Sequence, residues 1–390
     1  MFAIVFCWLF VLARAHENNS RIVTIASGKV RGYKDKEYDI FVFNGIPYAT
    51  APRGPNKFKA PLSAPVWDKI FEATNAHVMC PQNQMFKGSE FSKHNIREDC
   101  LVANIYVPNT NEKKLPVLVD IHGGGYQMGY GNMLTLNKLV NTKRVIVVNF
   151  NYRLGVYGFL CLGTRDVPGN AGMKDIVALL RWVKNNIAAF GGNPSEVTVS
   201  EYSAGPSAVQ LLLLSPTAKD LFKRAIPENG PNLSIYSIQA DPIEVAKKYA
   251  KKFNFHNANI YALENFYKTL SIQGLSKENL DVEENMQFVP CIERDLGEEP
   301  FLLYSPYDLS NMGSAANIPI LYGFTNMKWM KKKEQFEYWN SKINEDFFQF
   351  LPIDLKFQNE IEKESVSATA KEFYFGKELL NYNKNSVKCL

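Results

Sequence analysis

Ser203 lies where a β-branched run passes into an apolar run, and its setting is that of a serine nucleophile. Residues 196–199 (EVTV) predict a short strand, and residues 208–214 (AVQLLLL) predict a buried helix too short to span a membrane. A serine on such a sharp turn exposes its hydroxyl above the sheet, where a histidine can take its proton. The N–H of the next residue, Ala204, can then point at a developing oxyanion. The stretch favours nucleophilic catalysis by Ser203.

Glu201 departs from the G-x-S-x-G pattern of such a turn, because it stands where the first glycine belongs. Strand and helix backbones nearly touch there, so a glutamate must push them apart or bury a carboxylate unpaired. A one-residue insertion also fits, with Tyr202 as the extra residue. The remaining alternative is an ordinary strand–helix turn that contains a serine.

Residues 120–126 (DIHGGGY) end an apolar strand with three consecutive glycines. Glycines free the backbone to turn sharply and to aim N–H groups outward. Such a loop can form an oxyanion hole or cradle a phosphate. The run GGGYQMGYG fits neither G-x-G-x-x-G nor a loop ending in Lys-Ser/Thr, so beside Ser203 the oxyanion hole is favoured.

The elements around these two loops alternate between strand and helix. Short alternating segments within 21–48 predict antiparallel strands at a sheet edge, and 50–100 predicts a long loop region. Further strands are predicted at 101–107, 116–121, 145–150 and 318–324, and an amphipathic helix at 173–190. The chain after 223 is otherwise predicted to be helical. This order implies βαβ units, a mostly parallel buried sheet and one large α/β domain.

Composition excludes several classes of function. The chain has 390 residues, 46% of them hydrophobic, and a formal net charge of only +5. Its lysines are scattered and not interleaved with aromatics, which argues against nucleic-acid binding. No Cys/His spacing suggests a metal site, and no organic cofactor is implied.

The first residues predict export from the cell. Residues 2–12 are apolar and are followed by Ala13-Arg14-Ala15, a small-x-small cleavage pattern. We therefore expect a signal peptide at 1–15, a domain at 16–390, and a secreted, extracellular protein without a transmembrane segment. The alternative is a buried N-terminal strand or a short anchor. Asn18 and Asn232 begin N-x-S sequons that a secreted chain can glycosylate.

The six cysteines are informative because secreted thiols tend to oxidise. Cys80 and Cys100 are near enough in sequence to close a modest loop. Cys161 and Cys291 lie in apolar contexts typical of buried free thiols, which is what we expect of them.

Taken together, the motifs make the chain resemble the type-B carboxylesterase and cholinesterase family. The resemblance runs from about residue 22 to 330 and rests on FNGIPYA, EDCLVANIYVP, HGGGY, NYRLGVYGFL, PGNAGMKD, RWVKNNIAAFGGNPSEVTV, SAG and PILYGFT. It implies an α/β-hydrolase fold with a mostly parallel central sheet, helices on both faces and antiparallel N-terminal strands. It also implies a Cys80–Cys100 disulfide, Ser203 at the nucleophile position, and oxyanion donors from Gly124, Gly125 and Ala204.

The resemblance fails at the rest of the family's serine–glutamate–histidine triad. Lys328 occupies the acid position, and a lysine cannot accept a hydrogen bond from an imidazole N–H. Asn229 replaces the serine that supports the acid. None of the five histidines follows His256, which we interpret as a surface residue rather than a recruited base. Relative to the family, the C-terminal part of the domain is incomplete.

The resemblance therefore implies a secreted carboxylesterase-like protein with weak or no hydrolysis of a small carboxylic ester. The alternative is a non-catalytic extracellular protein that binds another protein, as in the neuroligin-like branches. Choline esters are not favoured, because no tryptophan lies between Cys80 and Cys100. Phe86 and Phe91 there can equally be packing residues.

Overall fold

A computed structural model describes residues 19–82, 95–202, 208–228, 237–275, 288–323, 333–352 and 355–376. Its described strands are β1 Ser20–Ile25, β2 Gly28–Lys34, β3 Ile40–Pro47, β4 Phe71–Glu72, β5 Val78–Met79, β6 Asn95–Ile96, β7 Val102–Pro108, β8 Leu115–His122, β9 Ile146–Phe150, β10 Gly192–Tyr202 and β11 Arg224–Glu228. Its described α-helices are α1 Asn137–Val140, α2 Gly155–Phe159, α3 Ala171–Asn186, α4 Ala208–Leu214, α5 Pro242–Lys251, α6 Ile260–Thr269, α7 Ile272–Leu275, α8 Pro306–Asn311, α9 Lys333–Glu345 and α10 Glu360–Phe375.

A nine-stranded mixed sheet runs through the described residues in the order β1-β2-β3-β7-β9-β8-β10-β11, with β4 paired to β2. Along this order β1, β2, β3, β7 and β9 pair antiparallel with one another, and β9, β8, β10 and β11 pair parallel. The pairing of β4 with β2 is parallel. β5 and β6 form a separate parallel pair. The antiparallel N-terminal strands and the parallel centre are as predicted.

The parallel centre is buried because its strands carry nearly continuous apolar residues. All five residues of β9 are buried, and Val197 and Val199 of β10 belong to the main core with Leu211 and Leu212 of α4. Strands that are buried on both faces have nearly continuous apolar sequences of this kind. The same core fixes the end of β10 that leads to Ser203.

The predicted helix at 173–190 is confirmed as α3 followed by a 3₁₀ turn, Ile187–Phe190. It ends at Gly191, whose φ of +92° is a conformation that glycine adopts at little cost. Helix α4 is also confirmed at the predicted residues.

Two predictions at the far side of the sheet are wrong. The sequence predicts helix after residue 223, yet Arg224–Glu228 forms β11, because Ala225 pairs in parallel with Val199 of β10. The predicted strand at 318–324 makes only isolated bridges to β11, through Ile320 and Gly323. Phe324 lies outside the described residues. Both segments are short, so tertiary pairing rather than periodicity decides their structure.

Candidate active site

The strand ahead of Ser203 ends beside the strand ahead of the glycine loop. Tyr202 pairs with His122 in the parallel ladder of β10 and β8. The carboxyl ends of parallel neighbours leave a sheet at the same edge, where ligands bind in open α/β sheets. Ser203, Ala204 and Gly205 lie outside the described residues, while β10 before them and α4 after them are described.

The glycine loop after β8 turns through three consecutive residues with positive φ: +113° at Gly124, +61° at Gly125 and +62° at Tyr126. The Gly124 carbonyl accepts hydrogen bonds from the N–H groups of Gln127 and Met128, at 3.0 and 3.2 Å. A Cβ on Gly124 would lie 2.0 Å from the Met128 carbonyl oxygen, so only glycine fits.

The N–H groups of Gly124 and Gly125 are candidate donors to a ligand. Among the described residues, no carbonyl oxygen accepts a hydrogen bond from either of them. In a trans peptide the C=O and N–H point in opposite directions. The bonds to the carbonyls of Gly123 and Gly124 therefore orient the next N–H groups, those of Gly124 and Gly125, away from the groups that bind these carbonyls. Adjacent N–H donors of this kind can stabilise an oxyanion.

His122 holds the first of these carbonyls. Its Nδ1 lies 2.8 Å from the Gly123 carbonyl oxygen, and its ring stacks on Tyr152 at 4.5 Å between centroids. Burial lowers the pKa of His122 to about 4, so the ring is neutral near pH 7. Because a carbonyl only accepts, Nδ1 carries the proton and donates it. His122 thus supports the loop.

Glu201 does not interrupt the sheet, and it is not without a partner. It is buried, and the ladder passes through it without interruption, pairing it with Ile121 on one side and Pro227 on the other. The pKa values of the buried Tyr126 and Tyr152 hydroxyls are raised by burial first and by the charge of Glu201 second. The register runs unbroken from Val197 to Tyr202, so the ladder contains no bulge between these residues.

The described residues contain two disulfides. Cys80 is bonded to Cys100, as the resemblance implies. The prediction of free thiols at Cys161 and Cys291 is wrong, because these buried cysteines are bonded to each other. Their apolar contexts indicate burial but carry no information on which sulfur lies opposite. The lack of a side chain at Gly169 leaves space for this disulfide, since a Cβ there would lie 2.6 Å from Cys291 Sγ and 2.7 Å from Cys161 Sγ.

Of the other residues singled out from the sequence, one is exposed and the rest lie outside the described residues. His256 is exposed, as expected of a surface residue. Lys328, Asn229, Asn18, Asn232, Phe86 and Phe91 lie outside the described residues. Within the described ranges, no group of three His, Cys, Asp or Glu side chains could hold a metal ion. Over the same ranges, no helix is long and apolar enough to cross a membrane.

Gln127 is the site residue that the sequence analysis missed. Its side chain is buried behind the glycine loop and donates to the carbonyl oxygens of Gly125 and Phe288. The only local signal is its position three residues after Gly124. Its second partner is 161 residues away in sequence, which no local pattern reveals.

Comparisons with known proteins agree with this geometry. Residues 19–389 match the carboxylesterase family. Juvenile hormone esterase of Heliothis virescens is 36% identical over 329 residues, which are 80% of this chain and 58% of that protein. Venom carboxylesterase-6 of Apis mellifera is 32% identical over 381 residues, covering 93% of this chain and 68% of that protein. The crystal structure of juvenile hormone esterase from Manduca sexta, with OTFP covalently attached, has 31% identity and a TM-score of 0.82. It covers 95% of this chain and 73% of that one.

The sheet order and the solved relatives define an α/β-hydrolase fold. The chain belongs to the carboxylesterase family. It spans 58% of the length of the Heliothis virescens relative.

Proposed function

We propose that this protein receives a carboxylic ester beside Ser203 and hydrolyses it weakly or not at all. The observation that supports the ester site is that no carbonyl of the described residues accepts from the N–H groups of Gly124 and Gly125, at the sheet edge where Ser203 follows β10. With Ala204, these donors would stabilise the oxyanion that forms when a nucleophile attacks an ester carbonyl.

Hydrolysis by this route needs a base for the serine. Ser203 Oγ would bond to the carbonyl carbon and lose its proton, the alcohol would leave with a proton, and water would then cleave the acyl-serine. In the family a histidine moves these protons and an acid orients it. Lys328 at the acid position cannot accept the imidazole N–H, and no histidine follows residue 256 in the 390 residues. The loss of triad members typically removes several orders of magnitude in rate, roughly 10⁴ or more.

The test is release of nitrophenol from a short-chain aryl ester by three purified proteins: wild type, Ser203→Ala and Ser200→Ala. Ser200 is the matched control, because it lies on β10 three residues before Ser203 in sequence and donates to Asp120 at 3.0 Å. We expect all three proteins to hydrolyse the ester scarcely faster than buffer. Rapid turnover that Ser203→Ala abolishes and Ser200→Ala retains would contradict weak activity and establish Ser203 as a working nucleophile.

Lys328 provides a second test of the same proposal. Lys328→Glu restores an acid but no histidine, so we expect the rate to stay at the wild-type level. Labelling by a phosphonate requires an activated serine, and we expect no adduct on Ser203 in wild type or in Lys328→Glu. An adduct in wild type would show that some group of this chain activates Ser203.

Secretion is part of the proposal. We propose that residues 1–15 are a signal peptide, that 16–390 form the domain, and that Asn18 and Asn232 carry glycans. Two disulfides among the described residues support an oxidising compartment, and the name of one relative places that relative in venom. When the full chain is expressed in insect cells, the protein should be found in the culture medium. It should begin at His16 and lose mass on deglycosylation. Retention of the protein inside the cell would contradict secretion.

The second candidate is a non-catalytic extracellular binding protein. Exposed apolar residues beside β11 favour it: Leu321 is 65% exposed and Tyr322 is 55% exposed. Apolar surface of this kind often marks contact with another protein. If the phosphonate does not label Ser203 and no ester is turned over, the non-catalytic binding protein remains as a candidate. Ester turnover that depends on Ser203 would exclude it.

A further inference from the structure

Gln127 joins the oxyanion loop, residues 122–129, to a distant part of the described chain through two carbonyl groups. Gln82 also binds this loop, at the N–H and the C=O of Gly129. The side chain of Gln127 is 6% exposed, and its Nε2 donates to the Gly125 carbonyl at 3.1 Å and to the Phe288 carbonyl at 2.6 Å. Both amide hydrogens are therefore used. We propose that Gln127 is a positioning residue that holds the peptide after Gly125, and with it the turn that presents the Gly124 and Gly125 N–H groups; this rests on the proposed ester site.

The turn that presents these N–H groups is closed on itself by Gln127. The backbone N–H of Gln127 bonds to the Gly124 carbonyl at 3.0 Å, which orients the peptide whose N–H belongs to Gly125. Its side chain bonds to the Gly125 carbonyl, which orients the next peptide, the one whose N–H belongs to Tyr126. One residue thus holds two successive peptide planes.

The turn has anchors outside itself, and the Gly155 N–H, which donates to the Tyr126 carbonyl at 2.7 Å, is one of them. Positive φ at Gly124, Gly125 and Tyr126 places the turn outside regular structure, where backbone entropy opposes a single conformation. The 2.6 Å bond from Gln127 Nε2 to the Phe288 carbonyl ties it to residues 288–293, which we call the strap.

The strap is a rigid anchor because hydrogen bonds hold its backbone at successive residues. Gln239 binds the carbonyls of Val289 and Pro290 with its side-chain amide and its backbone N–H. Asn170 binds both the N–H and the C=O of Cys291, each at 2.8 Å. The Cys161–Cys291 disulfide adds a covalent link. A carbonyl in such a segment moves little, so the Phe288 carbonyl is a fixed point for Gln127.

Gln239 supplies a matched control. It too is a buried glutamine, 7% exposed, whose Nε2 donates to two carbonyls, those of Phe159 and Val289. It binds the same strap, but the structure gives it no contact with the oxyanion loop among the described residues. Gln127→Met and Gln239→Met therefore remove equal numbers of hydrogen bonds from similar surroundings. In Gln239→Met the strap keeps the backbone bond to Pro290, the two Asn170 bonds and the disulfide, so only Gln127→Met removes a bond to the turn.

The experiment compares wild type, Gln127→Met and Gln239→Met by hydrogen exchange of peptides that span 121–130. We expect exchange there to rise about tenfold or more in Gln127→Met and to stay within about twofold of wild type in Gln239→Met. In protein labelled with ¹⁵N-glycine, the amide resonances of Gly124 and Gly125 should shift in Gln127→Met alone. Gln127→Asn, which keeps the amide on a side chain one carbon shorter, replaces Gln127→Met if that variant does not fold, with the same expected direction.

Unchanged exchange in Gln127→Met would overturn the proposal. An equal rise in both methionine variants would also overturn it, because it would indicate general loosening. Neither readout depends on turnover. Failure of the ester assay with Ser203→Ala therefore counts against the proposed function, whereas failure of the exchange experiment counts against Gln127.

Discussion

Cys161 and Cys291 are joined by a disulfide that closes 130 residues of sequence and links the chain after α2 to the strap. In the chain-entropy view, a cross-link stabilises the fold by restricting the unfolded chain, and it does so more for longer loops. The Cys80–Cys100 bridge closes only 20 residues.

The two bridges should therefore differ in their effect on stability. We expect the Cys161→Ala/Cys291→Ala double variant to lose about 5 kcal/mol in free energy of unfolding, and Cys80→Ala/Cys100→Ala about 3 kcal/mol. Urea unfolding measures both, and peptide mapping without reduction shows the bonded pairs. Free thiols at Cys161 and Cys291 in the mature protein would refute this pairing.

Arg153 and Asp175 form a fully buried ion pair, with contacts of 2.6 Å from Nη2 to Oδ1 and 2.8 Å from Nε to Oδ2. Removal of one partner leaves a buried charge without compensation, so Arg153→Met should cost about 3–5 kcal/mol in free energy of unfolding. Arg181, which pairs with Glu299 in an exposed setting, is the control, and Arg181→Met should cost about 1 kcal/mol or less. Equal losses in denaturant unfolding would contradict the role of burial.

Gly124 should tolerate no side chain. Gly124→Ala places a Cβ against the Met128 carbonyl in addition to the left-handed backbone. Gly297 is the control, since its φ is +78° and nothing lies within 4 Å of the position that a Cβ would take. We expect Gly297→Ala to cost about 1 kcal/mol for the backbone alone and Gly124→Ala to cost about 1–3 kcal/mol more. Thermal unfolding of the two variants decides this, and similar shifts would argue against a tight turn.

The lowered pKa of His122 predicts how the stability of the fold changes with pH. Its pKa is lowered to about 4 in the folded protein, from 6.5 in the unfolded chain. Between these values the unfolded chain binds more protons, so stability is complete above about pH 6.5 and falls as the pH drops toward 4. The full loss from this group is roughly 3 kcal/mol.

The measurement is the difference in free energy of unfolding between pH 7 and pH 4.5. It should shrink in His122→Gln and stay at the wild-type value in His256→Gln, where the side chain is exposed. The same pH dependence in wild type and His122→Gln would show that this histidine is not the buried neutral group that its environment indicates.

The sequence by itself determined the elements with strong local signals. Helix α3 follows from its apolar face and from the Gly191-Gly192 stop, and β9 follows from a continuous β-branched run. The turn at Gly124 follows from residue type, because only glycine accepts that backbone beside the Met128 carbonyl. Each of these depends on residues within a few positions, so periodicity and steric rules are sufficient.

Only the tertiary structure decided which distant groups meet. The pairing of Cys161 with Cys291, the bond from Gln127 to Phe288 and the ladder that makes 224–228 a strand all join segments that are far apart or have weak local preference. An apolar context indicates that a cysteine is buried, but its partner depends on how the loops cross. The burial of Glu201 beside Tyr126 and Tyr152 is of the same kind, because three separate segments of the chain create that environment.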